Sequence, residues 1–332
     1  MNNFVKSAIQ AGGSIHPLLV PPNITGGTGL MNPSIYNDNG KIIGVIRHVN
    51  YTFYHSENKV FLHPWGPLTY LHPENDLHLR TRNFYCEFDA NLNIVKQHEI
   101  DMTHGDSKYT PVWEFRGLED ARIMRWNGKL FITGVRRDLK TNGEGRMDLC
   151  EIIVEKDKVY EVDRFRIPPP KDPNSYCEKN WMPIIDMPYH FVKWSTPTEV
   201  VEADPLTKTS KTVVLAQNNP NLRRDVRGGS QLIPLGKNGH RIAMTHEVDL
   251  FKSEVGRKDA VYYHRFLIWD KDWNIVKFSR EFFMMDGHVE FGIGMCYLNE
   301  SEFLITFGFQ DNAAYLLRCP VQHVLNFIDE NF

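Results

Sequence analysis

The chain has 332 residues, and its near-balanced charge and ordinary hydrophobic content exclude several classes of protein. Lysine plus arginine number 38 against 41 aspartate plus glutamate, a formal net charge of −3, and 42% of the residues are hydrophobic. This composition excludes a disordered chain and lacks the basic excess of a general nucleic-acid binder. Aromatic residues reach 12%, beside 23 glycines and 19 prolines, a mixture typical of many short strands joined by turns rather than of a helical bundle.

The cysteines and the start of the chain indicate the compartment. Five cysteines are an odd number without C-x-x-C spacing, so the sequence predicts neither a disulfide framework nor a zinc site. The first residues, MNNFVKSAIQ, lack the basic-then-apolar pattern of a signal peptide, and no apolar run approaches the roughly 18 residues of a membrane span. We therefore expect a soluble, cytoplasmic protein without a membrane partner.

In chain order, the pattern predicts a short helix near each end, in residues 1–12 and 320–330, with β-hairpins between them. The β-rich runs of four to eight residues alternate with Asn-Gly or proline-containing turns, which is typical of hairpins. Five segments share one form, in which a polar opening precedes a strand, a tight turn and a second strand. They are MNPSIYNDNGKIIGVIRH from Met31, GLEDARIMRWNGKLFITGV from Gly117, EKNWMPIIDMPYHFVKW from Glu178, GGSQLIPLGKNGHRIAMTH from Gly228 and HVEFGIGMCYLNESEFLITFG from His288.

A second repeat supports the same organisation. FDANLNIVK from Phe88 and WDKDWNIVK from Trp269 keep Asp, Asn, Ile, Val and Lys at identical offsets. Paired hairpins are expected when each unit has an inner and an outer strand pair, and a ring of such units leaves only short edges exposed. The predicted fold class is therefore all-β, a five-bladed β-propeller with short terminal helices in a single domain over residues 1–332. A two-sheet sandwich is the alternative, and it explains the hairpins but not the repeats.

The polar residues that open the five repeats form the candidate site. The innermost strands of a propeller converge on a central channel, so we expect these side chains to share one pocket. The openings supply Asn32, Glu119, Asp120, Arg122, Glu178, Lys179, Asn180, Gly229, Ser230, Gln231, His288 and Glu290, and the strand ends add Arg47, Arg136, His246 and Glu247.

The segment GLEDAR resembles the G-x-E-D-P-R motif of the five-bladed mannoside phosphorylases and the related β-mannosyltransferases. The order of the other segments is similar to theirs: NPSIYNDNGK…IR, EKNWMPI, MTHEV, YYHRFLIWD and HVEFGIGM…FLITFGFQDNAAYLL. The resemblance spans roughly residues 31–318. It departs at Ala121, which stands in place of the family's proline, and at Glu178 and Trp181, which have no counterpart.

The resemblance implies transfer of a sugar with inversion, and it gives the acid/base role to Asp120. It also implies that Arg47, Arg122, Lys179 and His246 match phosphate- and sugar-binding positions. The residue types agree, because a carboxylate can exchange a proton with a sugar hydroxyl and guanidinium groups bind phosphate through two hydrogen bonds.

From the residues alone, the alternative interpretation of Glu119-Asp120 is a surface turn or an ion pair with Arg122. Glu119, the neighbour of Asp120, is expected to face the opposite side of the strand.

The remaining binding candidates are cations, polar groups and aromatic rings. Arg265 and Arg227 are further cations whose alternative role is a solvated strand end, and His246 has the alternative role of a structural histidine. Trp181, Tyr263 and Phe291 are the predicted stacking rings, whereas most other aromatic residues are expected in the core. The predicted binding set is completed by Asn180, His288 and Glu290.

Two motifs are declined as sites. Asp270-Lys-Asp272 matches the D-x-D metal motif, but the corresponding repeat from Phe88 has Asp-Ala-Asn in its place, which indicates a turn. RGGSQ lacks the Gly-Lys-Ser/Thr of a phosphate loop. No metal ion and no other cofactor is predicted.

The leading hypothesis is an inverting, metal-independent glycosyltransferase with Asp120 as general base. Its predicted partners are a phosphate-bearing sugar donor, either a nucleotide sugar or a sugar phosphate, and a carbohydrate or other hydroxyl acceptor. Glu178, Trp181 and the arginine-rich loop from Arg223 to Arg227 favour a larger donor. A glycoside phosphorylase or hydrolase of the same fold is the alternative, and a non-catalytic propeller that binds a glycan or a protein is the second. Nucleic acid is not the expected partner, although the arginine-rich loop leaves it open as an acceptor.

Overall fold

The computed structural model describes residues 3–26, 29–51, 59–63, 66–70, 78–217, 220, 222, 225–252 and 258–329. The predicted patch at Arg223 and Arg224 lies outside these residues. The described chain is all-β, as predicted, with helices α1 (Phe4–Gln10), α2 (Pro22–Thr25), α3 (Thr103–Lys108) and α4 (Val321–Asp329). The predicted terminal helices are confirmed as α1 and α4, whereas α2 and α3 were not predicted.

The strands follow one another through nearly the whole chain. They are β1 (Ser14–Pro17), β2 (Leu30–Asp38), β3 (Lys41–Val49), β4 (Lys59–His63), β5 (Gly66–Tyr70), β6 (Leu79–Phe88), β7 (Ile94–Asp101), β8 (Phe115–Arg116), β9 (Glu119–Trp126), β10 (Lys129–Arg136), β11 (Arg146–Val154), β12 (Val159–Arg166), β13 (Met182–Pro183), β14 (His190–Ser195), β15 (Thr198–Asp204), β16 (Thr209–Leu215), β17 (Ile233–Leu235), β18 (His240–Lys252), β19 (Lys258–Trp269), β20 (Ile275–Phe278), β21 (Glu290–Asn299), β22 (Glu302–Phe309) and β23 (Ala313–Pro320).

Most of these strands pair in antiparallel groups of four. The groups are β2-β3-β6-β7, β9-β10-β11-β12, β13-β14-β15-β16, β17-β18-β19-β20 and β21-β22-β23-β1. The first two groups join into one sheet, because β7 and β12 pair in parallel over two residues each. The short β8 pairs with β6, and β4 and β5 form a separate hairpin.

The five predicted hairpins are all present, each as the first two strands of its group. Two of them turn at Asn-Gly. Asn39 and Gly40 have φ of 55° and 94°, and Asn127 and Gly128 have φ of 50° and 77°. Two successive positive φ angles are what a two-residue type I′ hairpin needs, and asparagine followed by glycine adopts them at little cost.

The second repeat also folds as predicted, into equivalent turns between the third and fourth strands of two groups. The Oδ1 of Asp89 accepts hydrogen bonds from the backbone N–H groups of Asn91 (2.9 Å) and Asn93 (2.8 Å). The Oδ1 of Asp270 accepts the same pair of bonds from Asp272 and Asn274, both at 2.9 Å. The D-x-D motif is therefore a turn, as the sequence indicated.

The two ends of the chain meet in the last group. Strand β1 adds to β23, with Ser14 opposite Arg318, so an N-terminal strand completes a sheet made from C-terminal strands. Helices α1 and α4 cover this junction. The Phe4 ring packs against Phe282 and Phe327, with centroids 4.8 and 5.2 Å apart.

One buried amide links four of the groups. The fully buried Gln231 donates from Nε2 to the Ser34 hydroxyl (3.2 Å) and to the carbonyls of Ile35 (3.0 Å) and Ile123 (2.9 Å). Its Oε1 accepts from the Met295 N–H at 3.2 Å. Gln231 precedes β17, and its partners lie on β2, β9 and β21, so the first strands of these groups converge on it. No helix among the described residues is long and apolar enough to cross a membrane.

Candidate functional site

Asp120 stands at the start of β9 in an uncommon backbone conformation. Its φ is +54°, in the left-handed region that costs most non-glycine residues energy and that aspartate tolerates better than most. Its side chain is 15% exposed. Oδ1 accepts hydrogen bonds from the Asn32 amide and from Nη1 of Arg47, both at 2.8 Å. Among the described residues, none donates to Oδ2, which leaves that oxygen for a substrate hydroxyl.

Burial and the neighbouring side chains shift the pKa of Asp120 in opposite directions. Burial raises the pKa of the carboxyl group, but Arg47, the Asn32 amide and Arg122 outweigh this effect and hold the pKa below its usual value. Asp120 is therefore ionised at neutral pH. A carboxylate in this state is suited to accept a proton.

Arg47 and Arg122 approach Asp120 from different groups of strands. Arg47 on β3 also donates from Nη2 to the hydroxyls of Tyr51 (3.2 Å) and Thr81 (3.3 Å). Arg122 on β9 donates to the carbonyls of Gly229 (2.6 Å) and Asp120 (3.0 Å). Burial lowers the pKa of Arg122 to about 10 although Asp120 opposes that shift, so both guanidinium groups stay charged at neutral pH.

Three buried polar atoms around Asp120 have no hydrogen-bond partner among the residues that the structure describes. They are Oδ1 of Asn32, Nε of Arg47 and Nη2 of Arg122. Buried polar atoms are nearly always paired, so an unpaired group calls for an explanation such as a missing ligand or water. Three of them beside one carboxylate make this place the candidate binding site.

A second carboxylate, which the sequence reasoning did not single out, belongs to the same site. Burial raises the pKa of Asp311 to about 6, with Arg47 opposing the shift and the charges of Asp120 and Glu119 adding to it. Asp311 has a φ of +48° in the turn between β22 and β23. Its signal in the sequence is the QDNA turn of the last repeat, which belongs to a segment that carries the family resemblance.

Histidine and aromatic side chains line another part of the site. The buried His246 stacks with Tyr262, their ring centroids 5.7 Å apart, and its ring meets Phe291 edge-on at 4.6 Å. Nδ1 of His246 lies 2.9 Å from the Gly228 carbonyl, which can only accept, so Nδ1 carries the hydrogen. Among the described residues, Nε2 has no partner and is left as an acceptor.

Four cations surround the His246 and Asp120 region. Burial and then the charges of neighbours, including Arg227, Lys179 and Arg122, hold the pKa of His246 well below its usual value, so the ring is neutral. Tyr262 interacts with Asp120, Asp311 and Arg227, although burial is the main reason that its pKa is raised. The electrostatic neighbours thus connect the predicted Arg47, Arg122, Lys179, Arg227 and His246 to Asp120.

Asn180 is placed beside His246 by a close backbone approach. Its φ is +60°, and a Cβ on Gly228 would lie only 1.9 Å from the Asn180 carbonyl oxygen. Because glycine has no Cβ, the segment that carries Lys179 and Asn180 can lie against the Gly228 backbone that also holds His246. Lys179 itself is exposed, as a side chain at the rim would be.

Four predicted binding residues make their contacts elsewhere. Arg265 donates to Glu247 (2.7 Å), Glu281 (3.2 Å) and the Ser279 carbonyl. The carboxylate of Glu290 accepts the N–H groups of Met284 and Met285 at 2.7 Å and of Gly287 at 2.9 Å. Both charges are therefore satisfied inside the sheets.

Of the other two, Tyr263 stacks on Phe283 at 5.2 Å, and its neighbour Tyr262 takes the place in the site that was expected for it. His288 is exposed and contributes its carbonyl to the Tyr262 N–H at 2.7 Å.

Several further openings of the repeats are structural. Glu178 accepts from Trp181 (3.2 Å) and from Lys193 (3.1 Å), all three largely buried. Ser230, like Gln231, is fully buried and bonds backbone, donating to the Gln231 carbonyl at 2.9 Å. Glu178 and Trp181 are therefore committed to each other and to Lys193.

Glu119 faces a cation that the sequence reasoning passed over. Its Oε1 lies 3.9 Å from Nε of Arg137, and Arg137 also donates to the Gly143 carbonyl (3.2 Å) and to the Cys177 sulfur (3.2 Å). The predicted Arg136 instead binds the buried Asp138 and the partly exposed Asp106. No group of three histidine, cysteine or acidic side chains within the described ranges is arranged to hold a metal ion.

Comparisons with known proteins agree on the fold. No family model matches the sequence, and no curated protein sequence matches it. Solved structures do match. The β-1,2-mannobiose phosphorylase from Listeria innocua superimposes with a TM-score of 0.53 at 11% identity over 92% of this chain and 93% of that one.

Two further structures extend this likeness. A mannose phosphorylase from Leishmania mexicana has a TM-score of 0.52 at 11% identity, covering 96% and 92% of the two chains. A putative glycoside hydrolase from Parabacteroides distasonis has 0.57 at 13%, covering 88% and 87%. At such identities the likeness carries the fold alone. The chain thus has the propeller-like fold of the mannoside phosphorylases, the family whose motifs its sequence resembles.

Proposed function

We propose that this protein is a carbohydrate-active enzyme, an inverting glycosyltransferase built as a single five-bladed propeller. The five antiparallel groups of four strands support that count, and the pairing of β1 with β23 supports one closed domain. The observation that carries the activity is an ionised Asp120 beside Arg47 and Arg122. Within the described part of the chain, one oxygen of Asp120 and three nearby buried polar atoms have no hydrogen-bond partner. A site of this kind accepts a hydroxyl and an anion together.

The proposed reaction uses these groups as follows. The acceptor hydroxyl gives its proton to Asp120 while its oxygen forms the new bond to the anomeric carbon of the donor sugar. The bond from that carbon to the phosphate oxygen breaks, and the phosphate leaves with the electron pair. Guanidinium groups stabilise the charge that develops on the leaving phosphate. Arg47, Arg122, Lys179 and Arg227 are the cations for this role, with Asn180 and His246 as hydrogen-bonding groups.

Phosphorolysis or hydrolysis of a glycoside is a second candidate, and Asp311 is the observation that favours it. A carboxyl group with a pKa of about 6 retains part of its proton near neutral pH, as an acid that protonates a leaving oxygen must. The neighbours named as mannoside phosphorylases and a hydrolase are consistent with this direction. They also support a mannoside as the sugar.

One assay separates the two directions. The protein is incubated with nucleotide sugars and sugar 1-phosphates, with and without oligosaccharide acceptors, and the release of nucleotide or phosphate is followed. Acceptor-dependent release supports transfer. Breakdown of an oligosaccharide that needs inorganic phosphate, without nucleotide-sugar turnover, refutes the transferase and supports the second candidate.

The catalytic assignment is tested with a pair of neighbouring variants. Asp120→Asn removes the proton acceptor while keeping the hydrogen-bonding shape, so turnover is expected to fall to background. Glu119→Gln alters the adjacent acid, whose nearest cation is Arg137, and is expected to retain most of the activity. Full activity in Asp120→Asn rejects the assignment. Glycan binding that survives in both variants without any turnover favours a non-catalytic glycan-binding role.

A further inference from the structure

The segment that leads into Asp120 contains two residues with positive φ. Gly117 has a φ of +110° and Asp120 one of +54°, and a Cβ on Gly117 would lie 2.2 Å from the Thr81 carbonyl oxygen. A non-glycine residue such as Asp120 keeps a positive φ only when the surrounding contacts determine it. The orientation of the Asp120 carboxylate therefore depends on what holds residues 112–118.

Asp138 holds both ends of this segment. It is fully buried, and its Oδ2 accepts the Gly117 N–H at 2.8 Å. Its carbonyl oxygen accepts the N–H groups of Val112 (2.7 Å) and Trp113 (3.2 Å). One residue thus bonds the beginning of the loop and the point at which the loop enters β9.

Asp138 is itself oriented by Arg136. Two nitrogens of Arg136 bind the two carboxylate oxygens, at 3.1 and 2.7 Å, and the third donates to Asp106 at 2.7 Å. Arg136 is fully buried, so this forked pair is shielded from solvent and geometrically restrictive. Within the described part of the chain, the side-chain hydrogen bonds of Asp138 and Arg136 run to each other, to Asp106 and to Gly117.

We propose that Asp138, oriented by Arg136, is a positioning residue that sets the conformation of Asp120 through Gly117. This inference rests on the proposed function for its kinetic consequence, but the positioning itself is independent of any activity. Asp138→Asn places an amide against Arg136 and loses one of the two carboxylate oxygens. The 112–117 loop then relaxes, and the carboxylate of Asp120 moves relative to Arg47 and Asn32.

The test measures Asp120 directly. In protein labelled with ¹³C at the aspartate carboxyl carbons, the signal missing from Asp120→Asn identifies Asp120, and its pH titration gives the pKa. Asp138→Asn is expected to raise that pKa, because contact with Arg47 and Asn32 is weakened. It is also expected to lower kcat on the order of a hundredfold, the cost of misplacing a reacting group by about 1 Å, with little change in KM.

Asp38→Asn is the matched control. The carboxylate of Asp38 takes a forked pair of bonds from Arg125, at 2.7 and 2.6 Å, and this pair bonds neither Asp106 nor the 112–117 segment. The variant should lose stability in urea while keeping the wild-type pKa of Asp120 and the wild-type kcat. If Asp138→Asn fails to fold, Arg136→Lys, which keeps the charge but loses the fork, should shift both readouts in the same direction.

An unchanged Asp120 pKa and kcat in a folded Asp138→Asn or Arg136→Lys protein overturns the proposal. An equal shift in Asp38→Asn does so as well, because it would show a general effect of stability. A raised Asp120 pKa together with full activity in Asp120→Asn supports the positioning and rejects the proposed function instead.

Discussion

Replacing Gln231 by leucine tests how the groups of strands are held together. The substitution removes the two N–H donors of Nε2, which three acceptors share, and one bond accepted by Oε1. It leaves the carbonyls of Ile35 and Ile123 and the N–H of Met295 without this partner in a site that is fully buried. The Ser34 hydroxyl is less affected, because it keeps its bond from the Ile123 N–H at 3.0 Å.

The magnitude follows from the backbone groups that lose the amide. An unsatisfied buried polar group costs about 1 to 3 kcal/mol, so three groups give about 3 to 9 kcal/mol. Leucine is more apolar than glutamine and returns part of this through burial, of the order of 1 to 2 kcal/mol. We therefore expect the free energy of unfolding to fall by about 4 to 5 kcal/mol, the middle of a range of about 1 to 8 kcal/mol, which is a large part of the stability of an ordinary domain.

Urea unfolding followed by tryptophan fluorescence measures this loss. The midpoint should decrease at an unchanged m-value, since the surface exposed on unfolding stays the same. Gln310→Leu is the matched control, because that amide is partly exposed and makes one long bond of 3.4 Å to the Gly287 carbonyl. It should cost less than about 1 kcal/mol. A loss below about 1 kcal/mol in Gln231→Leu would refute the reasoning.

Three further outcomes are expected. Arg265→Met removes the 2.7 Å ion pair of the buried Glu247, so the free energy of unfolding in urea should fall by about 3 to 5 kcal/mol. A near-neutral effect contradicts the structural role given to Arg265. Gly117→Ala forces a Cβ against the Thr81 carbonyl at positive φ, so the protein should be destabilised by about 2 kcal/mol or more, measured as a lower melting temperature. The control Gly128→Ala has open space around the new Cβ, so its stability should fall only by the smaller cost of the positive φ. Asp148 is fully buried, and burial is the main reason that its pKa is raised to about 6. The folded state therefore binds the proton of Asp148 more tightly than the unfolded state does. The stability that this group contributes is lost as pH rises from about 4 to about 6, by roughly 3 kcal/mol at most. Asp148→Asn should flatten that decline in unfolding titrations, and an unchanged pH profile contradicts it.

The sequence by itself determined the repeating hairpins and the residue at the centre of the candidate site. Asn-Gly turns have a local physical cause, the positive φ angles of a type I′ turn, so β2–β3 and β9–β10 could be predicted without tertiary information. The Asp-x-x-x-Asn turns at Asp89 and Asp270 are local in the same sense, because an aspartate carboxylate caps nearby N–H groups. Asp120 is the residue that the sequence proposes for the site, because its motif and its place in a repeat agree.

Only the tertiary structure decided which polar residues reach Asp120. Neighbouring side chains of a strand face opposite sides, and bulges, such as those between Met31 and Ser34 and between Thr133 and Val135, change that alternation. The strands carry polar residues on both faces. The sequence therefore could not tell which of Tyr262 and Tyr263, or of Arg136 and Arg137, faces the candidate site.

Burial and long-range pairing decided the remaining features. Arg265 and Glu290 resemble ligands in the sequence but bind buried partners, whereas Asp311 joins the site from the opposite end of the chain. The pairing of β1 with β23 likewise depends on contacts across some 300 residues, for which no local pattern exists. Hydrogen bonding between distant strands, not local propensity, determined which strands pair and which residues line the candidate site.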